Sequence, residues 1–79
     1  MTNENKLRPL YLLKILYELT DENHPLSTTE IVTLLEEKYN VKTQRTRISQ
    51  DVESLERFGY EIGRVRGQAI NYYFDSRLF

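Results

Sequence analysis

The sequence predicts an α+β domain in which three helices are followed by a two-stranded β-hairpin. Apolar residues recur at helical spacing in three separate runs before Gly59, and the period switches to alternation after it. The chain has 79 residues and no cysteine, which leaves room for one core and no disulfide framework to organise it. A domain of this size buries about 60–65% of its unfolded surface, so the hairpin has to pack on the helices rather than stand alone.

The first helix is expected over about residues 6–19. Leu7, Leu10, Tyr11, Leu13, Leu16, Tyr17 and Leu19 form a wide apolar face, and Pro9 suits a first turn, where its missing N–H costs little. The tyrosines left over from that core, Tyr11 and Tyr17, are available for a dimer surface. The stretch TDENHPLS reads as a connection, with His24 exposed to solvent. The second helix is expected over about residues 28–39. Ser27 and Glu30 have capping-box spacing, and Leu26 and Ile31 have the spacing of a hydrophobic staple. Ile31, Leu34 and Leu35 face the core, and Asn40 supplies a left-handed C-terminal residue.

The third helix is expected over about residues 44–58, with Thr43 as its N-cap and Gly59 as its stop. Ile48, Val52 and Leu55 point to the core, and Phe58 lies at its edge. Thr46, Gln50, Glu53 and Arg57 project to the opposite side, flanked by Thr43, Arg47 and Ser54, and Glu53 is spaced to pair with Arg57. Beyond the helix, Tyr60, Ile62 and Val65, then Ile70, Tyr72 and Phe74, alternate as strands. Arg66-Gly67-Gln68 turns between them. The whole of residues 1–79 therefore reads as one domain.

Charge is distributed unevenly. Residues 1–41 carry four Lys/Arg against seven acids, a balance of −3, while residues 42–79 carry seven against five, a balance of +2. From Lys42 to Gln50 the local charge is +3 with no acid. Two helices joined by a short turn, the second opening on basic and hydrogen-bonding residues, form a helix-turn-helix layout. With the hairpin as a wing, the expected fold is a winged helix-turn-helix. The major groove of double-stranded DNA admits one helix, whose N-terminal part meets base edges and must carry donors rather than carboxylates. Thr43, Arg45, Thr46, Arg47, Ser49 and Gln50 satisfy that demand. Arg64, Arg66, Gln68 and Asn71 are the wing residues suited to phosphates or the minor groove.

The segments KLRPLYLLKILYELTDENHPLSTTEI, RTRISQDVESLERFGYEI and RGQAINYYF resemble the N-terminal winged helix-turn-helix domain of WYL-domain bacterial transcription regulators, within the DeoR-like group. The most specific part is Arg45-Thr46-x-x-x-x-Asp51-Val52-x-x-Leu55, followed by Phe58-Gly59-Tyr60 and Tyr72-Tyr73. The resemblance implies sequence-specific DNA binding in a transcription regulator. It also implies a homodimer in the full-length regulator, most of the contact coming from a C-terminal WYL-type sensing domain that these residues do not include. The family commonly has Arg-Asp where this chain has Gln50-Asp51, which leaves the target sequence open.

The competing expectation is a winged-helix module that binds a protein partner instead, favoured by the acidic first half. No metal-ligand spacing, glycine-rich phosphate loop or nucleophile–base arrangement occurs, so neither metal, cofactor nor enzymatic activity is expected. The N-terminus has no apolar run before Leu10, and Lys14 and Glu18 interrupt the stretch that follows. Neither a signal peptide nor a membrane span is expected, and the absence of cysteine fits a cytoplasmic location.

Overall fold

The structure is a computed structural model and describes residues 4–67 and 69–75. In chain order it contains α1 (Glu4–Leu19), β1 (Leu26–Ser27), α2 (Thr28–Tyr39), α3 (Arg45–Phe58), β2 (Ile62–Arg66) and β3 (Ile70–Phe74). Three helices followed by an antiparallel hairpin make the winged-helix layout expected above. The sheet has one strand more than expected. Its order is β1-β3-β2, with Leu26 opposite Tyr72 and Ser27 opposite Asn71. Two residues are too few to show alternation, and their pairing spans more than forty positions, so β1 leaves no local trace.

The helix ends follow the local chemistry. Ser27 caps α2: the Glu30 N–H donates to Ser27 Oγ at 3.1 Å, and the Ser27 N–H donates to Glu30 Oε1 at 2.9 Å. Asn40 closes α2 in the left-handed region, at φ 57°. Gly59, at φ 120°, ends α3, where Gly59 N–H donates to Glu56 O and Tyr60 N–H to Leu55 O. That pair of bonds is a Schellman motif, which needs a residue without a Cβ penalty.

The buried face of α1 meets the expected one at Leu16, with Tyr11 and Leu13 partly buried against the core, and departs from it elsewhere. Leu12, Ile15 and Leu16 are buried, whereas Leu7, Leu10, Tyr17 and Leu19 are exposed. Leucine and tyrosine surround this helix, so its own periodicity does not select a side. Arg8 lies on the buried side with Leu12, Ile15 and Leu16, paired with Asp51 of α3. Pro9 also falls beyond the first turn, because α1 begins at Glu4. Ile31, Leu35, Val41, Ile48, Val52, Leu55, Ile62, Tyr72 and Phe74 complete the core. Leu34 packs against it partly buried, as does Leu26. Phe58 is 81% exposed and stacks on Tyr60 with centroids 6.0 Å apart.

Thr20 fastens the sheet to the end of α1. Thr20 Oγ1 donates to Leu16 O at 2.6 Å and accepts from the Phe74 N–H at 2.8 Å, tying the end of β3 to the end of α1. Within the hairpin, Gly63 pairs with Tyr73, and the Tyr73 ring lies where a Cβ on Gly63 would stand. No helix among the described residues is long and apolar enough to cross a membrane.

Candidate nucleic-acid interface

The turn between α2 and α3 places a basic edge at the start of α3. Val41 is buried and anchors the turn, while Lys42 and Gln44 beside it are exposed. Gln44, not Thr43, is the N-cap residue; its backbone is extended and its side chain makes no capping bond. Thr43 fails as a cap because its Oγ1 is turned inward, buried and without a hydrogen-bond partner among the described residues. The first turn of α3 also contains no acid. Its leading N–H groups therefore have no side-chain acceptor of their own, which leaves a partial positive charge facing out.

Arg45, Thr46, Arg47, Ser49 and Gln50 are exposed along the first two turns, over Ile48 and Val52 in the core. Lys42, Thr43, Gln44 and Arg47, together with Arg8, line a polar recess of about 170 Å³ beside the helix start. The residue that keeps this surface basic is Asp51. It is 4% exposed and takes a two-pronged contact from Arg8, Nε to Oδ2 at 2.5 Å and Nη2 to Oδ1 at 3.1 Å. The carboxylate raises the Arg8 pKa above its ordinary value by hydrogen bonding and charge, against the opposing effect of burial. Asp51 thus points into α1 rather than out beside Arg45 and Arg47.

The wing residues separate. Side chains opposite one another in an antiparallel pair share a face. Arg64 lies opposite Tyr72 and Arg66 opposite Ile70, whereas Asn71 lies opposite Val65 on the other face with Gly63 and Tyr73. Arg66 is exposed. Arg64 bonds both Glu56 oxygens on α3, each at 2.9 Å, and its guanidinium lies 5.6 Å from the Tyr72 ring centroid. Arg64 holds the Glu56 carboxyl below its ordinary range, against desolvation, and Glu56 raises the Arg64 pKa in return. Ser49 Oγ lies 3.5 Å from Tyr72 Oη. The hairpin is therefore latched to α3 through Arg64, whose side chain stays about one-third exposed. Gln68 lies outside the described residues.

Four contributors escaped the sequence reading as site residues: Lys42, Arg8, Glu56 and Tyr72. Lys42 was visible as charge adjoining the helix start. The others act through pairings between distant segments, which no local pattern reveals. The expected pair of Glu53 with Arg57 does not form; the two border one shallow surface with Glu56, and it is Glu56 that finds a cation, across the chain on the wing. Among the described residues no group of three or more metal-ligating side chains is gathered. Comparison of the chain with protein-family models, with characterised proteins and with solved structures finds no match.

Proposed function

We propose that the domain binds double-stranded DNA sequence-specifically as the reading domain of a transcription regulator in the cytoplasm. In this reading α3 lies in the major groove and the wing rests on the backbone or the minor groove. The observation that carries it is the surface at the start of α3. Lys42, Arg45 and Arg47 stand together there with Thr46, Ser49 and Gln50; the first carboxylate along α3, Asp51, is buried against Arg8, and the next, Glu53, is exposed further along the helix. A surface built to meet phosphates must exclude carboxylates, and this one withdraws the acid that sequence adjacency would have left in it. The recess lined by Lys42 and Arg47 supplies a seat for a phosphate beside the helix start. Gln50 then presents an amide with a donor and an acceptor, matching an adenine edge. Arg66 supplies an exposed cation on the wing, and Arg64, paired with Glu56, positions the wing. The resemblance to WYL-domain regulators, and with it to the DeoR-like group, points the same way.

Duplex DNA titrated at several salt concentrations tests the reading. Contacts from Lys42, Arg45, Arg47 and Arg66 predict a log–log salt slope of about −3 to −4. An absence of binding even at low salt would overturn it and leave a winged-helix protein-interaction module in its place.

A further inference from the structure

Three acids lie along α3, and the fold treats them differently. Asp51 is buried against Arg8, and both Glu56 oxygens accept from Arg64. Glu53, between them, is exposed, and its carboxylate has no hydrogen bond or ion pair among the described residues. Arg57 stands one turn further on, at the spacing that pairs charges along a helix, and the pair does not form. The unpaired carboxylate lies on the side of α3 that carries Thr46 and Gln50, which are also exposed. Around the helix axis Glu53 is about 20° from Thr46 and about 60° from Gln50. Along the axis it stands about 4.5 Å beyond Gln50, a distance of about one to two base-pair steps.

We infer that Glu53 is a specificity-determining residue that reads cytosine, so that the preferred duplex carries a C·G pair beside the pair met by Gln50. The inference rests on the DNA reading proposed above. An ionised carboxylate only accepts hydrogen bonds. In the major groove it meets acceptors on guanine, at O6 and N7, and on thymine, at O4. Adenine offers its N6 amino group, but with the N7 acceptor beside it. Cytosine alone presents a donor, the N4 amino group, with no acceptor on the same edge. The charge of Glu53 is also repelled by phosphate, so it costs affinity on every duplex that brings no donor to it. Attraction to one base and a penalty against the other three are the two halves of discrimination. Lys42 and Arg47, at the recess beside the helix start, add affinity without that choice.

Selection from a randomised duplex library by the full 79-residue chain, with Glu53→Ala, Glu53→Gln and Gln50→Ala alongside, tests it. The parent should select cytosine about one to two base pairs from the pair whose preference is relaxed in Gln50→Ala. Glu53→Ala should lose that selection, its discrimination between cytosine and the other bases falling by about tenfold. Glu53→Gln should move the preference to adenine, whose N6 and N7 an amide meets together. Glu53 is exposed, so circular dichroism of both variants should match that of the parent. A parent that binds duplexes without selecting cytosine there would overturn the inference and leave the DNA reading standing. So would a Glu53→Ala chain that binds all duplexes more tightly with its preferences unchanged, because Glu53 would then only repel phosphate. A parent that binds no duplex even at low salt would overturn the DNA reading itself, and this inference with it.

Discussion

Asp51 is the acid nearest the most basic surface of the chain, and its charge does not reach that surface. Its partner Arg8 is itself buried, so the pair has exchanged hydration for two hydrogen bonds between α1 and α3. Removing Asp51 takes a paired carboxylate from a buried guanidinium. Asp51→Ala should destabilise the domain by about 3–5 kcal/mol in urea unfolding, whereas Arg8→Met combined with Asp51→Leu should recover most of that loss. A double variant as unstable as the single one would mean that the ion pair has a role apolar packing cannot replace. The same helix offers an internal contrast. Leu55 is 4% exposed and Phe58 is 81% exposed. Leu55→Ala should cost about 2–5 kcal/mol, and Phe58→Ala less than about 1 kcal/mol. Equal losses at both positions would contradict the observed rotation of α3.

The hairpin owes its place to contacts that run between elements. Gly63 leaves room for the Tyr73 ring across the strand pair, so Gly63→Val must displace that ring and should destabilise by about 1–3 kcal/mol. The loss should be visible as a changed tyrosine near-ultraviolet circular dichroism signal. The latch between Glu56 and Arg64 predicts a pH dependence. The Glu56 carboxyl is held below its ordinary value of 4.5 by Arg64. A carboxyl whose pKa is lowered on folding contributes stability that is present above its unfolded value. That contribution is lost as the pH falls through the lower folded value. With both side chains about one-third exposed, solvent screening limits it to about 0.5 kcal/mol. Glu56→Gln should therefore flatten the stability profile below pH 4.5 while leaving a small uniform loss above it. An unchanged acid limb would show that the latch opens in solution.

At the scale of the molecule, the basic edge on α3 and an apolar groove along α1 are separate surfaces. The DNA proposal makes different demands on neighbouring residues of the first. Arg47 borders the recess beside the helix start, so Arg47→Ala should weaken all duplexes alike and reduce the salt slope by about one. Gln50 is exposed one turn further along α3. Gln50→Ala should cost about 1–3 kcal/mol on the preferred site and relax preference at one base pair, with little change in slope. Binding of both variants to a randomised duplex library at two salt concentrations distinguishes these outcomes. Uniform losses from both would make α3 a phosphate clamp without base reading.

The sequence by itself determined what depends on neighbours within one or two turns. Ser27 and Glu30 cap α2 because their partners are three residues apart, Gly59 stops α3 because a positive φ is cheapest there, and Ile48, Val52 and Leu55 align because a helix repeats every 3.6 residues. The polar face of α3 was legible for the same reason: its residues are exposed where the period placed them. Tertiary structure alone decided which side of α1 is buried, that β1 joins the sheet, and which acids are withdrawn from the surface. Arg8 finds Asp51 across 43 positions, Arg64 prefers Glu56 to solvent, and Leu26 and Ser27 pair with Tyr72 and Asn71. These are choices among apolar faces or charges of nearly equal local merit. They are settled by the free energy of packing distant segments together, which no periodicity records.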